Sequence, residues 1–316
     1  MTEAARQLES HLQQELGKRL FGMEPVIHGL AIAMLANGHV LLDGPPGQGK
    51  TRLSKALALL LGGEFKRVQG TADLMPADIT GLHIYNNQSQ AFEFNPGPIF
   101  ADVLLVDEIN RAGPKTQSAL LEAMEERQVT IDRERHSLSE DFLVIATRNS
   151  EEFEGTFPMP ESQLDRFMLC IPVGHPAPET ERHILGTLGS QSNLQPDEAE
   201  LDIVPPALLA SARDVPAQVH TSDELVQYVV DIAAASRLSS NLSLGLSTRG
   251  ALALMRAARV EAALRGGDYV VPDDVKRVAP WVVAHRLRLT AEAIIDGSTQ
   301  ASALDNLMQQ VAVPKQ

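Results

Sequence analysis

At 316 residues the chain is long enough for two domains, and its composition, 44% hydrophobic and 22% charged, excludes a disordered or fibrous protein. Its formal net charge of −14 disfavours binding to nucleic acid or to an anionic membrane. No apolar run approaches the roughly 18 residues of a membrane span, and Met1 to Ser10 lack a signal-peptide core, so we expect a cytoplasmic protein.

Three apolar segments predict buried strands, at Val40–Leu42, Val103–Val106 and Phe142–Ala146. The first leads into a glycine-rich segment, Gly44 to Gly49, and then into a helical run from Thr51 to Leu61. The second ends in Asp107 and Glu108, and the third ends near Asn149. Buried strands separated by helical segments are typical of a parallel α/β sheet.

Two segments depart from this pattern. Residues 68–100 are rich in Gly, Pro and Asn and are too long for an ordinary connection, which favours a functional insertion. Residues 128–141 predict a β-hairpin around the charged turn Asp132 to Arg135, and this hairpin would project from the domain.

The second half of the chain begins at a proline-rich linker. Before it, the single cysteine, Cys170, excludes an internal disulfide bond and a cysteine-ligated zinc site, and its apolar neighbours indicate a buried, inert strand position. Prolines are dense over residues 171–178, after which Ala, Leu and Arg recur at helical spacing. We therefore predict an α/β domain over residues 1–174 and a helical domain over residues 175–316.

Residues 44–51 read Gly-Pro-Pro-Gly-Gln-Gly-Lys-Thr and fit the P-loop motif, between the strand and the helix that this motif requires. Glycines let backbone N–H groups point at phosphate oxygens, Lys50 neutralises the β and γ phosphates, and the Thr51 hydroxyl ligates Mg²⁺. ATP or ADP and Mg²⁺ are thus the predicted cofactors. The predicted nucleotide-binding residues here are Gly44, Gly47, Gln48, Gly49, Lys50, Thr51 and Arg52.

Asp107 and Glu108 supply the carboxylates that such a site needs. One carboxylate orients the metal and the next polarises the attacking water, so we assign Asp107 to Mg²⁺ and Glu108 to the water. An Asp-Glu pair after a strand also serves as a helix N-cap in many proteins. Its position after the second buried strand, following a P-loop, favours the catalytic interpretation.

Four stretches together resemble the MoxR family of AAA+ ATPases. They are GPPGQGKT at residues 44–51, VLLVDEINRAGPKTQSALLEAMEERQVT at residues 103–130, Ala-Thr-Arg-Asn at residues 146–149 and SQLDRFML at residues 162–169. The resemblance runs from about Phe21 to Leu289. It implies an AAA+ core with a parallel sheet flanked by helices and a smaller all-α lid, with residues 68–100 as the helix-2 insert and residues 128–141 as the pre-sensor-1 hairpin.

The resemblance also implies roles for three polar residues. Asn149 resembles sensor 1, which hydrogen-bonds the γ-phosphate and the attacking water. Arg166 resembles the arginine finger that reaches a neighbouring subunit's site, although a surface ion pair with Asp165 is an alternative. Arg249 resembles sensor 2, which contacts the γ-phosphate from the lid, and an ordinary exposed helix arginine is the alternative.

Further implications concern the base and the subtype. Phe21 and Gly22 resemble the start of the segment that wraps the adenine edge, where an apolar side chain suits a flat base. Arg148 and Ser150 depart from the Gln and Pro that the family usually has. These departures bear on subtype rather than on ATP binding.

The function that we expect is ATP hydrolysis in a hexameric ring that remodels or matures a client protein, together with a partner that carries a von Willebrand factor A domain. A chelatase-like motor subunit and a regulatory module that binds nucleotide without turnover stay open. A nucleic-acid motor is disfavoured by the net charge of −14 and by only 4% aromatic residues.

Overall fold

The computed structural model of the chain describes residues 2–149, 152, 154–188 and 201–314. In chain order its first half contains α1 (Glu3–Gly17), α2 (Glu24–Leu35), β1 (Val40–Asp43), α3 (Lys50–Leu60), β2 (Phe65–Gln69), α4 (Pro76–Thr80), β3 (Gly81–Asn86), β4 (Ala91–Pro96), β5 (Val103–Asp107), α5 (Pro114–Glu126), β6 (Gln128–Ile131), β7 (Glu134–Ser137), β8 (Leu143–Arg148), α6 (Glu161–Leu164) and β9 (Leu169–Pro172). The second half contains α7 (Pro178–Leu188), α8 (Pro206–Gln218), α9 (Asp223–Leu238), β10 (Leu242–Leu244), α10 (Thr248–Arg265), α11 (Pro272–Val282), β11 (Arg288–Leu289), α12 (Ala291–Ile295) and α13 (Gln300–Gln310).

The central sheet is parallel, with its strands in the order β2-β5-β8-β1-β9. The predicted parallel α/β sheet is therefore confirmed. Because β1, β8 and β5 are consecutive neighbours, their carboxyl ends meet at one edge of the sheet. The P-loop, Asn149 and the pair Asp107 and Glu108 follow these three strands and so come together there.

The two edge strands of the sheet, β2 and β9, were not among the three predicted strands. β2 has one buried side chain, Val68, between exposed polar ones, which explains why no apolar run marked it. β9 contains Cys170 in a buried position, as predicted, and burial raises the pKa of this thiol to about 12. The third predicted strand, β8, begins one residue later than expected, at Leu143, and ends at Arg148.

Alternate residues of the central strands enter two separate cores. In β1, Val40 and Leu42 pack with α2 and α3, whereas Leu41 faces the other core. In β8, Ile145 and Val144 divide in the same way. Both faces of the sheet are thus covered, which is why these strands read as continuous apolar runs.

The predicted insertion and hairpin lie next to each other. Residues 81–96 form the antiparallel hairpin β3-β4, and the insertion starts after β2 ends at Gln69 rather than at Val68. The second hairpin, β6-β7, turns at Asp132 and Arg133, so its turn is shorter than predicted. The Phe94 ring stacks on His136 with centroids 4.4 Å apart, and this contact joins the two hairpins.

The described part of residues 175–316 is helical, as expected, except for the two-stranded sheet β10-β11. Ser222 and Ser247 cap α9 and α10 by accepting backbone N–H bonds, which fixes where these helices begin. Residues 189–200 of this predicted domain, and Ser150 of the departures noted above, lie outside the described residues. The boundary near residue 174 falls between β9 and α7, and we retain it as a proposal.

Within the described ranges, no helix combines the length and the apolar composition that a membrane crossing requires.

Candidate active site

The P-loop connects β1 to the first turn of α3. Gly47 and Gly49 have φ of 84° and 79°, in the left-handed region that glycine enters without a side-chain clash. This path brings the loop to the N-terminus of α3, where free N–H groups and the helix dipole favour an anion. The local structure is the one that phosphate binding requires.

Lys50 lies at the start of α3 and is 8% exposed. Its Nζ donates to the carbonyl of Gly44 at 2.6 Å, so the ammonium group is held inside the loop. Burial lowers the pKa of Lys50, and the carboxylates of Asp43, Asp107 and Glu108 oppose that shift. These carboxylates favour the charged form of Lys50, and an ammonium group is suited to charge-assisted hydrogen bonds with phosphate oxygens.

Asp107, the last residue of β5, is the centre of a hydrogen-bond network. Its Oδ2 accepts from Thr51 Oγ1 at 3.3 Å and from Arg67 Nε at 2.7 Å. Its Oδ1 accepts from Thr147 Oγ1 at 3.3 Å. The carboxylate predicted to hold Mg²⁺ therefore lies beside the predicted hydroxyl ligand, and three elements fix its orientation.

Glu108 follows in a left-handed backbone conformation, with φ of 53°. Its N–H donates to Thr147 Oγ1 at 2.9 Å, which holds this turn in place. Its carboxylate lies 3.1 Å from Arg111 Nε. Gly70 makes the turn sterically feasible, because a Cβ at that position would lie 2.2 Å from the Glu108 carbonyl oxygen.

A cavity of about 340 Å³ opens at this edge of the sheet. Of the residues predicted to bind nucleotide or Mg²⁺, those lining it are Gly44, Gly47, Gly49, Lys50, Thr51, Arg52 and Asp107. Glu108 and Asn149 line it as well. Neither Arg166 nor Arg249 is among the residues that line the cavity on their own chain.

Arg166 and Arg249 instead meet at another carboxylate, that of Glu125 near the end of α5. Arg166 Nε donates to Glu125 Oε2 at 3.0 Å, and Arg249 Nη2 contacts Oε1. The adjacent Asp165 is not the partner of Arg166, since it pairs with Arg286. The two predicted arginines are thus one cluster outside the cavity.

Asp165 and Arg286 explain how that cluster is assembled. Arg286 is 4% exposed and donates to Asp165 Oδ1 at 2.6 Å and to the Phe167 carbonyl at 2.7 Å. Asp165 Oδ2 also accepts from Ser247 Oγ at 2.9 Å, and Ser247 caps the helix that carries Arg249. A hydrogen-bond network centred on the buried Arg286 therefore joins the segment around Arg166 to the start of α10.

The predicted adenine contacts lie beside α7. The Phe21 ring meets His183 edge to face, with centroids 4.6 Å apart, and a Cβ at Gly22 would lie 3.1 Å from Thr180. Gln48 is the third predicted nucleotide-binding residue that does not line the cavity. Its Nε2 lies 3.2 Å from His175 Nδ1. Residues of the linker and α7 thus contact the segment that is expected to bind the base.

Known proteins resemble this chain in both sequence and fold. The model of the ATPase family associated with various cellular activities (AAA) matches residues 39–169, and that of the AAA lid domain matches residues 234–307. Chaperone MoxR1 of Mycobacterium tuberculosis is 39% identical over 310 residues, which cover 95% of this chain and 81% of that protein. The uncharacterised protein YeaC of Bacillus subtilis is 44% identical over 285 residues, which cover 90% of this chain and 88% of that one. A crystal structure of a Cytophaga hutchinsonii protein assigned as an ATPase has a TM-score of 0.90 at 34% identity and covers 99% of this chain and 97% of that chain.

The chain belongs to the MoxR family of AAA+ ATPases. It is therefore an enzyme that binds nucleotide and hydrolyses ATP. The predicted architecture, an α/β core followed by a helical lid, is confirmed by the same comparisons.

In this MoxR-family ATPase the unusual Arg148 has a specific partner. Arg148 Nε and Nη2 donate to Asp43 Oδ2 at 3.0 and 2.7 Å. Asp43 ends β1 immediately before the P-loop, and the two residues are paired in the β1-β8 register. This pair therefore ties the end of β8, next to Asn149, to the base of the P-loop.

Three polar residues of the site were not singled out from the sequence of this ATPase. Thr147 lies within the quoted Ala-Thr-Arg-Asn motif. It contacts Asp107 because β8 and β5 are neighbours in the sheet. Arg67 follows from the β2-β5 register alone, which the sequence did not reveal. Glu125 lies in the long quoted motif, but nothing in its spacing points to Arg166 or Arg249.

Proposed function

We propose that the chain hydrolyses ATP with Mg²⁺ at sites shared between neighbouring copies of a hexameric ring, and that this work remodels a client protein. The single observation that carries the shared site is the position of Arg166 and Arg249. Both lie together on Glu125, and neither lines the cavity of its own chain. A neighbouring copy is the natural source of these charges for that cavity.

The phosphates would bind in the P-loop, where Lys50 is held for them. Thr51 and Asp107 offer a hydroxyl and a carboxylate oxygen, the hard ligands that Mg²⁺ prefers, and they lie 3.3 Å apart. Mg²⁺ bound there supplies positive charge that neutralises phosphate oxygens. Arg52, whose buried Nε has no hydrogen-bond partner in the structure, faces the same cavity and favours an anion.

Glu108 is proposed as the base that takes a proton from the attacking water. Glu108 lines the cavity, as does Asn149, which would orient the same water. Arg111 lies 3.1 Å from Glu108 and also pairs with Glu152, so it acts on its own chain. That placement makes Arg111 a poor candidate for a finger that reaches a neighbour.

The two clustered arginines would neutralise charge that develops on the γ-phosphoryl group. An arginine finger contributes roughly 10³ to 10⁵ in rate in related phosphoryl transfers. Glu125 would hold both guanidinium groups in place until the neighbour's nucleotide competes for them. Sensor 2 and the finger would then reach the same neighbouring site.

The client and the partner rest on relatives and on the resemblance. One relative is named a chaperone, which supports work on protein conformation. Exposed aromatic side chains, Tyr85 and Phe92, lie on the β3-β4 hairpin and suit contact with an unfolded segment. The partner with a von Willebrand factor A domain is proposed from the resemblance, and a chelatase-like role would use the same ATP site on a different target.

The direct test of ring formation is sedimentation of Glu108→Gln with and without saturating ATP. We expect a shift from a monomer or small oligomer to a hexamer-sized particle, because the γ-phosphate links Lys50 of one copy to Arg166 of another. An unchanged mass with ATP bound would refute the ring. Proteins that co-purify with the assembled variant would identify the client, and a salt-dependent shift of DNA or RNA would favour a nucleic-acid motor instead.

A further inference from the structure

Arg67 lies on β2, the edge strand next to β5, and lines the cavity. Its Nε donates to Asp107 Oδ2 at 2.7 Å, and its Nη2 donates to Gln69 Oε1 at 3.1 Å. Gln69, two residues later on the same face of the strand, also lines the cavity. The guanidinium group is therefore directed at the carboxylate that ends the neighbouring strand.

The oxygen that Arg67 contacts is the one that faces Thr51. Asp107 Oδ2 accepts from both Arg67 Nε and the Thr51 hydroxyl, whereas Oδ1 is turned to Thr147. A cation held between Thr51 and Asp107 would use this same Oδ2. An N–H donor and a divalent ion therefore compete for the lone pairs of this oxygen.

Two cations close to this carboxylate, Lys50 and Arg67, differ in their freedom to move. Lys50 is 8% exposed and anchored to the P-loop, whereas the Arg67 side chain is 49% exposed at an edge strand. An exposed guanidinium leaves an ion pair at modest cost, because water replaces the lost bond. Arg67 is thus the cation that would yield when a stronger one arrives.

We propose that Arg67 is a positioning residue that holds Asp107 and competes with Mg²⁺ for its Oδ2. This competition sets the Mg²⁺ concentration that is needed to fill the metal site. This inference rests on the proposed assignment of Thr51 and Asp107 to Mg²⁺. Arg67 keeps Asp107 Oδ2 beside the Thr51 hydroxyl, and Mg²⁺ that binds with nucleotide displaces Arg67. It acts through Asp107 and does not touch the reacting atoms.

The test measures Mg²⁺ binding rather than turnover. The fluorescence of N-methylanthraniloyl-ADP bound to the full chain is followed while MgCl₂ is titrated from an EDTA-treated sample. In Arg67→Met the Mg²⁺ midpoint should fall roughly three- to ten-fold, which corresponds to the loss of one partly exposed charge-assisted bond. Affinity for the fluorescent ADP in EDTA should change little, since the proposed effect requires the metal.

Lys66→Met is the matched control. It removes the same unit of charge one residue away, where Lys66 pairs with Glu64 at 2.8 Å on the surface and does not line the cavity. Its midpoint should stay at the wild-type value. Arg67→Lys keeps a cation with less fixed donor geometry and should give a midpoint between wild type and Arg67→Met, which also serves if the methionine variant does not fold.

Three results would overturn the inference. Arg67→Met could need as much Mg²⁺ as wild type or more, which would mean that Arg67 does not compete with the metal. It could lose its affinity for the fluorescent ADP in EDTA, which would make Arg67 a phosphate ligand. A wild-type protein whose nucleotide binding ignores Mg²⁺ would refute the proposed metal site itself, an outcome distinct from an unshifted variant.

Discussion

Arg166 of the core and Arg249 of the lid contact the two oxygens of one carboxylate, that of Glu125. Arg166 lies two residues after the end of α6, and Arg249 lies in the first turn of α10. The network through Asp165, Ser247 and Arg286 fixes their approach. Two residues of one chain that are held together in this way should serve the same site.

Mixing Arg166→Ala with Arg249→Ala tests whether they do. If one copy supplies both arginines to its neighbour, every interface of a mixed ring lacks at least one of them, and hydrolysis should stay at the level of the separate variants. If Arg249 instead serves its own chain, an Arg166→Ala copy followed by an Arg249→Ala copy regains a full set. Steady-state ATPase activity of co-assembled rings above the sum of the two parts would contradict the shared cluster.

Lys50→Ala should abolish nucleotide binding. The phosphates lose the buried ammonium group that the Gly44 carbonyl holds in place, and we expect affinity for ATP to fall roughly a hundred-fold or more. Equilibrium binding of a fluorescent ATP analogue measures this loss. Lys55→Ala, on the same helix but outside the cavity lining, is the control and should bind normally. Near-normal affinity of Lys50→Ala would sink the P-loop assignment.

Glu108→Gln should keep ATP binding and lose turnover. The amide fits the space of the carboxylate but cannot accept the proton of the attacking water, so single-turnover hydrolysis should slow by roughly 10² to 10⁴. Rapid-quench measurements on enzyme in excess over ATP report this step. Glu122→Gln, exposed on α5, should behave as wild type. If Glu108→Gln hydrolysed ATP at the wild-type rate, the base would be another residue.

We predict that the protein becomes less stable in alkaline solution because His28 loses its proton there. Burial alone would lower the pKa of His28, but hydrogen bonds to Glu261 and Glu9 outweigh it and raise the pKa to about 9 from 6.5. Nε2 lies 2.7 Å from Glu261, which Arg277 also contacts at 2.6 Å, so this cluster joins α2 to α10 and α11. Because the folded pKa exceeds the unfolded one, the contribution is complete below about pH 6.5 and is lost as the pH rises to about 9.

The contribution of His28 to the free energy of unfolding is therefore roughly 3 kcal/mol at its maximum. Urea denaturation at several pH values between 6 and 9.5 measures it in wild type and in His28→Gln. The variant should be less stable at pH 6 and should approach wild type near pH 9.5. Parallel pH profiles of the two proteins would show that the cluster does not stabilise through a charged histidine.

The local parts of the site could be predicted from the sequence because they are contiguous. Strand, glycine-rich loop and helix follow one another at Val40 to Leu61, and Asp107 and Glu108 follow a run of buried residues. The parallel order of the central strands then brings these pieces together without further information. The same reasoning located Asn149 at the cavity.

The remaining contacts could not be predicted, since they join residues that are distant in the chain. Arg67 reaches Asp107 from an edge strand whose single buried residue leaves no apolar pattern. Glu125 and Arg249 are 124 residues apart in the chain, and no periodicity indicates that they meet. The turn at Asp132 and Arg133 is tighter than the charged run suggested, because both residues adopt positive φ.

The most direct measurement of the shared site mixes Arg166→Ala with Lys50→Ala. An Arg166→Ala copy still binds ATP, and a Lys50→Ala neighbour still offers an intact Arg166 and Arg249 to it. Each variant alone should be nearly inactive, whereas co-assembled rings should hydrolyse ATP clearly above the sum of the parts, since the finger is worth roughly 10³ to 10⁵ in rate. Rings that sedimentation shows to be mixed, yet that stay as inactive as their components, would contradict an arginine acting on the neighbouring copy.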